Sequence, residues 1–120
     1  MKRRTISVAM ATIIAVAGFV FATASPAQAV VPCTAYGDGS YYCMNVYYAP
    51  IYDVDNGQFV PVDYMETTWS WFWCRSDYGP PSGSPVHPNR WLLTMGDVTG
   101  RWGWMPDRYI SSETNPVNPC

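Results

Sequence analysis

Apolar and polar positions divide this chain into two unlike parts. Residues 6–24 are apolar or small and carry no charge, whereas beyond residue 30 the chain is dense in Tyr, Trp, Pro and Gly. In that second part no stretch sustains apolar spacing at 3.6 residues, so strands and turns are predicted in place of amphipathic helices. The clearest pattern covers Glu66 to Cys74, where Thr67, Trp69, Trp71 and Trp73 alternate with Thr68, Ser70, Phe72 and Cys74. Strand side chains alternate between faces, which makes this a strand with one face built of Thr and Trp. That face is too bulky to lie wholly inside so small a domain. Part of the tryptophan is expected at the surface, or beneath the loop that follows.

Local signals place the other elements. Asn56-Gly57 tolerates the positive φ of a type I′ turn, and alternating runs flank it at residues 50–54 and 58–64, which predicts a hairpin. Pro61 has no N–H for a ladder, so its strand belongs at an edge or a bulge. Residues 76–89 hold four prolines and two glycines and are expected to be an irregular loop. Strands are predicted at residues 90–95 and 100–105, with a turn at Gly96-Asp97 between them. A single 3-10 turn suits residues 106–110.

The first part reads as an export signal. Lys2, Arg3 and Arg4 precede the apolar run, and Ala27-Gln28-Ala29 follows it. That is the order of basic, apolar and small-residue cleavage zones in a secretory signal. A membrane anchor of similar length is the rival. The cleavage sequence and the lack of a basic stop-transfer cluster favour residues 1–29 as a removable signal, with Ala22-Thr23-Ala24 as an earlier cut. Val30-Val31-Pro32 is not the small-residue setting of a lipidated cysteine, and residues 115–120 carry no hydrophobic anchor or sortase-type motif. The expected product is secreted, with no stable membrane anchor after cleavage, and is held at the envelope non-covalently if at all.

Cleavage changes the charge. Three of the 7 basic residues leave with the signal and all 9 acids stay, so 4 arginines, no lysine and a net charge of 4 − 9 = −5 remain. Nucleic acid, whose binding depends on basic neutralisation of phosphates, is excluded as a partner, and anionic membranes or wall polymers are disfavoured. All four cysteines (Cys33, Cys43, Cys74 and Cys120) lie in the exported part and are expected to form two disulfides. Three pairings are open; Cys43–Cys74 with Cys33–Cys120 is the expectation carried forward. The spacings hold no C-x-x-C and His87 is the single histidine, so no metal site is expected. Asp53-Val54-Asp55-Asn56-Gly57 lacks the glycine position and closing glutamate of a calcium loop.

The chemistry of the chain points to binding. General acid–base catalysis recruits histidine or converging carboxylates, and His87 sits between Val86 and Pro88 in the irregular loop. Oxidised cysteines are not nucleophiles. No phosphate-cradling glycine loop, nucleophile elbow or zinc-protease helix occurs. Neither an enzyme nor a cofactor is therefore expected. Tyr and Trp, stiff and amphipathic, are the residues of recognition surfaces.

One resemblance sharpens this expectation. Asn45-Val46-Tyr47-Tyr48-Ala49-Pro50, the hairpin, Trp91, and the closing run Gly103-Trp104-Met105-Pro106-Asp107-Arg108-Tyr109-Ile110 occur in the order of a bacterial SH3-like domain. The chain resembles the small secreted versions in which one cysteine follows the third strand (Cys74) and another ends the tail (Cys120). It departs from the pattern at Tyr47, where the family usually has arginine. The resemblance implies an all-β, SH3-like barrel of about five strands over residues 44–110, with an N-terminal extension at 30–43 and a tail at 111–120. It also implies a ligand groove, for which Tyr47, Tyr48, Tyr78 and Trp91 are the candidates, with Asp97 as a partner for a ligand amine. The implied ligand is a peptidoglycan peptide. The alternative is a freely secreted effector, a protease inhibitor or an antagonist of competing microbes, whose partner is a protein. Alternation along the first strand predicts one of Tyr47 and Tyr48 inside and the other outside. Trp91, Trp104 and Tyr109 are also candidates for the core, and the oligomeric state is left open.

Overall fold

The computed structural model describes residues 30–120, so the expected export signal at residues 1–29 lies outside the described residues. The chain is all-β: β1 (Thr34–Ala35), β2 (Tyr41–Met44), β3 (Ala49–Asp55), β4 (Gln58–Met65), β5 (Trp69–Phe72), β6 (Cys74–Ser76), β7 (Trp91–Met95) and β8 (Trp102–Pro106) precede a 3-10 turn at Asp107–Tyr109. Among the described residues no helix is long and apolar enough to cross a membrane.

The hairpin forms where Asn56-Gly57 places it. Both residues adopt positive φ, 49° and 75°, and join antiparallel β3 and β4. Pro61 lies on β4, the edge strand of its sheet, beside a register shift at Ile51/Tyr52 that leaves Val62 without an opposite residue. Proline removes a ladder donor, and an edge beside a bulge is where that loss is tolerated.

Eight strands in two sheets replace the expected closed barrel of about five. The order is β1-β2-β5 in one sheet and β4-β3-β8-β7-β6 in the other. The predicted strand over residues 66–74 is in fact two. Up to Phe72 it pairs with β2; at Trp73 it turns, the Trp73 N–H donates to the Leu93 carbonyl at 2.8 Å, and β6 continues beside β7. One run thus belongs to both sheets, and β1 and β2 give its first half a partner. The far sheet does not close: β4 and β6 are its edges. The chain end covers part of the β6 edge, with Arg75 N–H donating to Asn118 and Cys120 N–H to Arg75, both at 2.9 Å. Such cover blunts an edge that would otherwise pair with another chain.

The pairing Cys43–Cys74 with Cys33–Cys120 is overturned. The bridges are Cys33–Cys43 and Cys74–Cys120, with Cα atoms 4.5 and 4.9 Å apart. The reason is register. Thr34 opposes Tyr42 in the β1–β2 hairpin, which brings the next pair outward, Cys33 and Cys43, face to face. The tail lying along β6 carries Cys120 to Cys74. Closing loops of 10 and 46 residues contributes about 3 and 4 kcal/mol on the chain-entropy model. Two disulfides fit an oxidising, extracytoplasmic setting.

The core joins both sheets. Ile51, Met65, Phe72, Leu92 and Met105 fill it, and Cys33, Tyr41, Cys43 and Val117 from the two ends of the described chain complete it. Full burial of each large aliphatic or aromatic side chain contributes about 1.5–3 kcal/mol. Trp91 is buried against this framework, 6% exposed, with its indole N–H donating to the Pro80 carbonyl at 2.8 Å.

Candidate functional site

The structure scatters the residues first considered for the groove. Tyr47 and Tyr48 lie together in the turn before β3, their rings 5.9 Å apart, with Tyr48 stacked on Tyr64 at 4.6 Å. Both are exposed, contrary to the expected inside–outside pair, because Tyr48 takes a left-handed φ of 61° and interrupts strand alternation. Trp91 is packed on Tyr52 and Phe59 beneath the long loop. Asp97 makes a turn, as its place after Gly96 indicates. Its Oδ2 accepts from the Glu66 and Thr67 N–H groups at 2.8 and 3.0 Å and from the Thr67 hydroxyl at 3.1 Å. Tyr78 stands apart from the rest at the start of the long loop and is 97% exposed.

A different surface gathers the aromatic side chains. The Thr/Trp face of β5 points outward, so Trp69 and Trp71 lie beside Tyr42 of β2. At the sheet crossing Trp73 remains on the outside, 45% exposed, 5.9 Å from Trp71. Trp102 of β8 meets Trp71 edge-on at 5.2 Å. Tyr36 packs on Tyr42 at 5.2 Å and extends the row at its other end. Pairs at these separations are worth about 0.5–1.5 kcal/mol beyond area burial, so the rings hold one another in place while their faces stay in water.

Three depressions run on from this row. Trp71, Trp73, Leu93 and Trp102 line an open one of about 520 Å³, almost wholly apolar. Trp73 and Leu93 also border a second, of about 390 Å³, with Gly39, Cys74, Asn118 and Pro119. Pro119 and Cys120 continue into a third, where Arg75, Asp77 and Tyr78 stand. The result is one track from Trp102 past Trp73 to Tyr78. Period-two spacing foretold the tryptophan face of β5. Trp102 and Tyr42 were missed, because their place beside it depends on which strands pair.

Behind the track a polar network stiffens the long loop. Arg90 is buried; its Nε donates to Asp77 at 2.5 Å and its Nη1 to Thr114 and Asn115 at 3.0 and 2.9 Å. Burial pulls the Arg90 pKa down, opposed by the charges of Asp107 and Glu113. Asp107 accepts from Ser84 and Thr114 at 2.8 and 2.6 Å. His87 pairs with Glu113 at 2.8 Å, tying the loop to the tail. Burial works against the Glu113 carboxylate, but hydrogen bonds from His87 and the Asn115 N–H hold its pKa below the ordinary value.

Asp63 performs the same task for the β7–β8 loop. Its carboxylate accepts from the N–H groups of Tyr64, Val98, Thr99 and Arg101 and from the Thr99 hydroxyl, at 2.8–3.2 Å. Burial alone would raise its pKa; the donors outweigh burial and hold it at about 2. No group of His, Cys, Asp and Glu among the described residues is arranged to hold a metal ion. No family model, curated protein or solved structure matches this chain.

Proposed function

We propose that the exported chain is a non-catalytic binding module of the bacterial cell envelope, and that its ligand lies along the aromatic track. The observation that carries this reading is the run of tryptophans left in water on a rigid, doubly stapled sheet. Exposed apolar patches of this kind mark interaction sites. Contiguous depressions suit an extended polymer better than a compact small molecule. The resemblance to bacterial SH3-like domains enters here as a second support, resting on the element order from the hairpin through Gly103-Trp104-Met105 to the 3-10 turn. On this reading the groove has moved from Tyr47, Tyr48 and Trp91 to the outer face of β5 and β8.

The test is retention of the exported protein on purified, enzyme-free peptidoglycan sacculi. Wild type and Tyr47→Ala are expected to be retained, and a folded Trp73→Ala/Trp102→Ala variant to be released. Failure of the wild type to bind would overturn the envelope reading.

One observation favours a secreted effector with a protein target. Tyr78 is 97% exposed although its neighbours are pinned: Asp77 by Arg75 and Arg90, and Gly79 by Asn89. A stiff loop presenting one aromatic side chain lowers the ordering cost of docking. Loss of binding to a captured protein partner on Tyr78→Ala, with sacculus binding absent, would favour that reading.

A further inference from the structure

Resting on the envelope-binding reading, we infer that the track binds the neutral glycan backbone of the wall polymer, by stacking of sugar rings on Trp71, Trp73 and Trp102, in preference to its charged stem peptides.

Three observations converge on this chemistry. The first is charge. Trp71, Trp73, Leu93 and Trp102, which line the depression of about 520 Å³, carry none. A stem peptide brings carboxylates and amines that would lose water there without gaining a partner. An anionic polymer would in addition meet a lysine-free chain of net charge −5 (4 arginines against 9 acids after residue 29).

The second is the form of the lining. A pyranose ring is amphipathic by face: its C–H bonds present an apolar, weakly positive surface, and its hydroxyl and acetamido groups lie at the rim. The C–H face packs on the electron-rich face of an indole, while the rim groups need donors and acceptors beside it. Of the six indoles, Trp91 alone donates its N–H within the described residues. Those of Trp71, Trp73 and Trp102 are left for a rim oxygen, and the Asn118 amide borders the next depression.

The third is repetition. Trp73 stands between two depressions that share it as a wall, and Trp71 holds it at 5.9 Å. A chain of like units needs like contacts in a row, and a single-residue anchor does not.

The experiment compares three probes on the exported protein: intact sacculi, neutral N-acetylglucosamine oligomers, and free stem peptides. Soluble β-linked N-acetylglucosamine oligomers serve as a defined titrant, read by tryptophan fluorescence. The oligomers are expected to bind, with an affinity unchanged between low and high salt, because a neutral ligand releases no counterions. Trp73→Ala is expected to weaken binding about tenfold and Trp73→Phe to restore most of it, each checked for fold by circular dichroism. Binding of sacculi and stem peptides, but not of the oligomers, would overturn the glycan assignment and leave the envelope reading standing. Binding of oligomers without sacculi would do the reverse, and binding of neither would overturn both.

Discussion

Asp63 is a single carboxylate on which a whole loop depends, and changing it to asparagine tests that dependence. The side chain is 2% exposed and receives the N–H groups of Val98, Thr99 and Arg101, so the chain between β7 and β8 is folded around it. Its pKa falls from 3.8 to about 2 on folding. That difference corresponds to roughly 2.5 kcal/mol of stability at neutral pH. Because the folded value is the lower one, the contribution is complete above the unfolded pKa and is lost as pH falls through the folded pKa, between about pH 5 and pH 1. A carboxamide in place of the carboxylate would turn an NH₂ group toward N–H donors, so Asp63→Asn is expected to cost about 2–3 kcal/mol. For a domain of this size that lowers Tm by roughly 10–20 °C. Denaturant melts of the disulfide-intact protein at neutral pH and near pH 3 supply the assay. Wild type is expected to lose stability across that interval and the variant to lose much less, the remainder coming from Glu113 and Asp38, whose pKa values are also lowered. An unchanged acid slope in Asp63→Asn would refute the assignment. Gly96→Ala offers an independent check, since a Cβ there runs into the Asp63 carboxylate and is expected to destabilise in the same pH-dependent way.

Other outcomes follow from the same geometry. Peptide mapping without reduction is expected to yield Cys33–Cys43 and Cys74–Cys120 fragments, and a fragment joining Cys43 to Cys74 would contradict the register of β1 and β2. Arg90→Met is expected to cost about 1–3 kcal/mol by removing the guanidinium that donates to Asp77, Thr114 and Asn115, and to speed amide exchange across residues 77–89; unchanged exchange would show that the loop is held by other contacts. Trp91→Phe removes the bond to Pro80 and is expected to cost about 1–3 kcal/mol while leaving sacculus retention intact; loss of retention at full stability would return Trp91 to the ligand site.

Much of the local structure was legible because it depends on neighbours in the chain. Asn56-Gly57 needs only its own backbone freedom to turn, and Pro61 announces its edge by the donor it lacks. The period-two run of tryptophans shows an outward face, because a small core cannot take three indoles in a row. The closing 3-10 turn at Asp107–Tyr109 was equally visible. The tryptophan track was only half legible: Trp69, Trp71 and Trp73 stood out, but Tyr42 and Trp102 join them only through strand pairing.

The rest was decided by contacts between distant residues. Nothing within residues 66–74 says that the strand divides at Trp73; that follows from β2 claiming its first half and Leu93 its second. The disulfide pairing followed the same cause, since bridges join whatever strand register brings within reach. The bonds that Asp97 accepts from Glu66 and Thr67 likewise join residues distant in the chain. By itself, then, the sequence determined an all-β chain with a hairpin, a cysteine count and an outward tryptophan face, all set by short-range backbone and side-chain preferences. Only the tertiary structure decided the two open sheets, the cysteine partners and the union of Trp102 with Trp71 and Trp73, because each depends on which strands meet across the core.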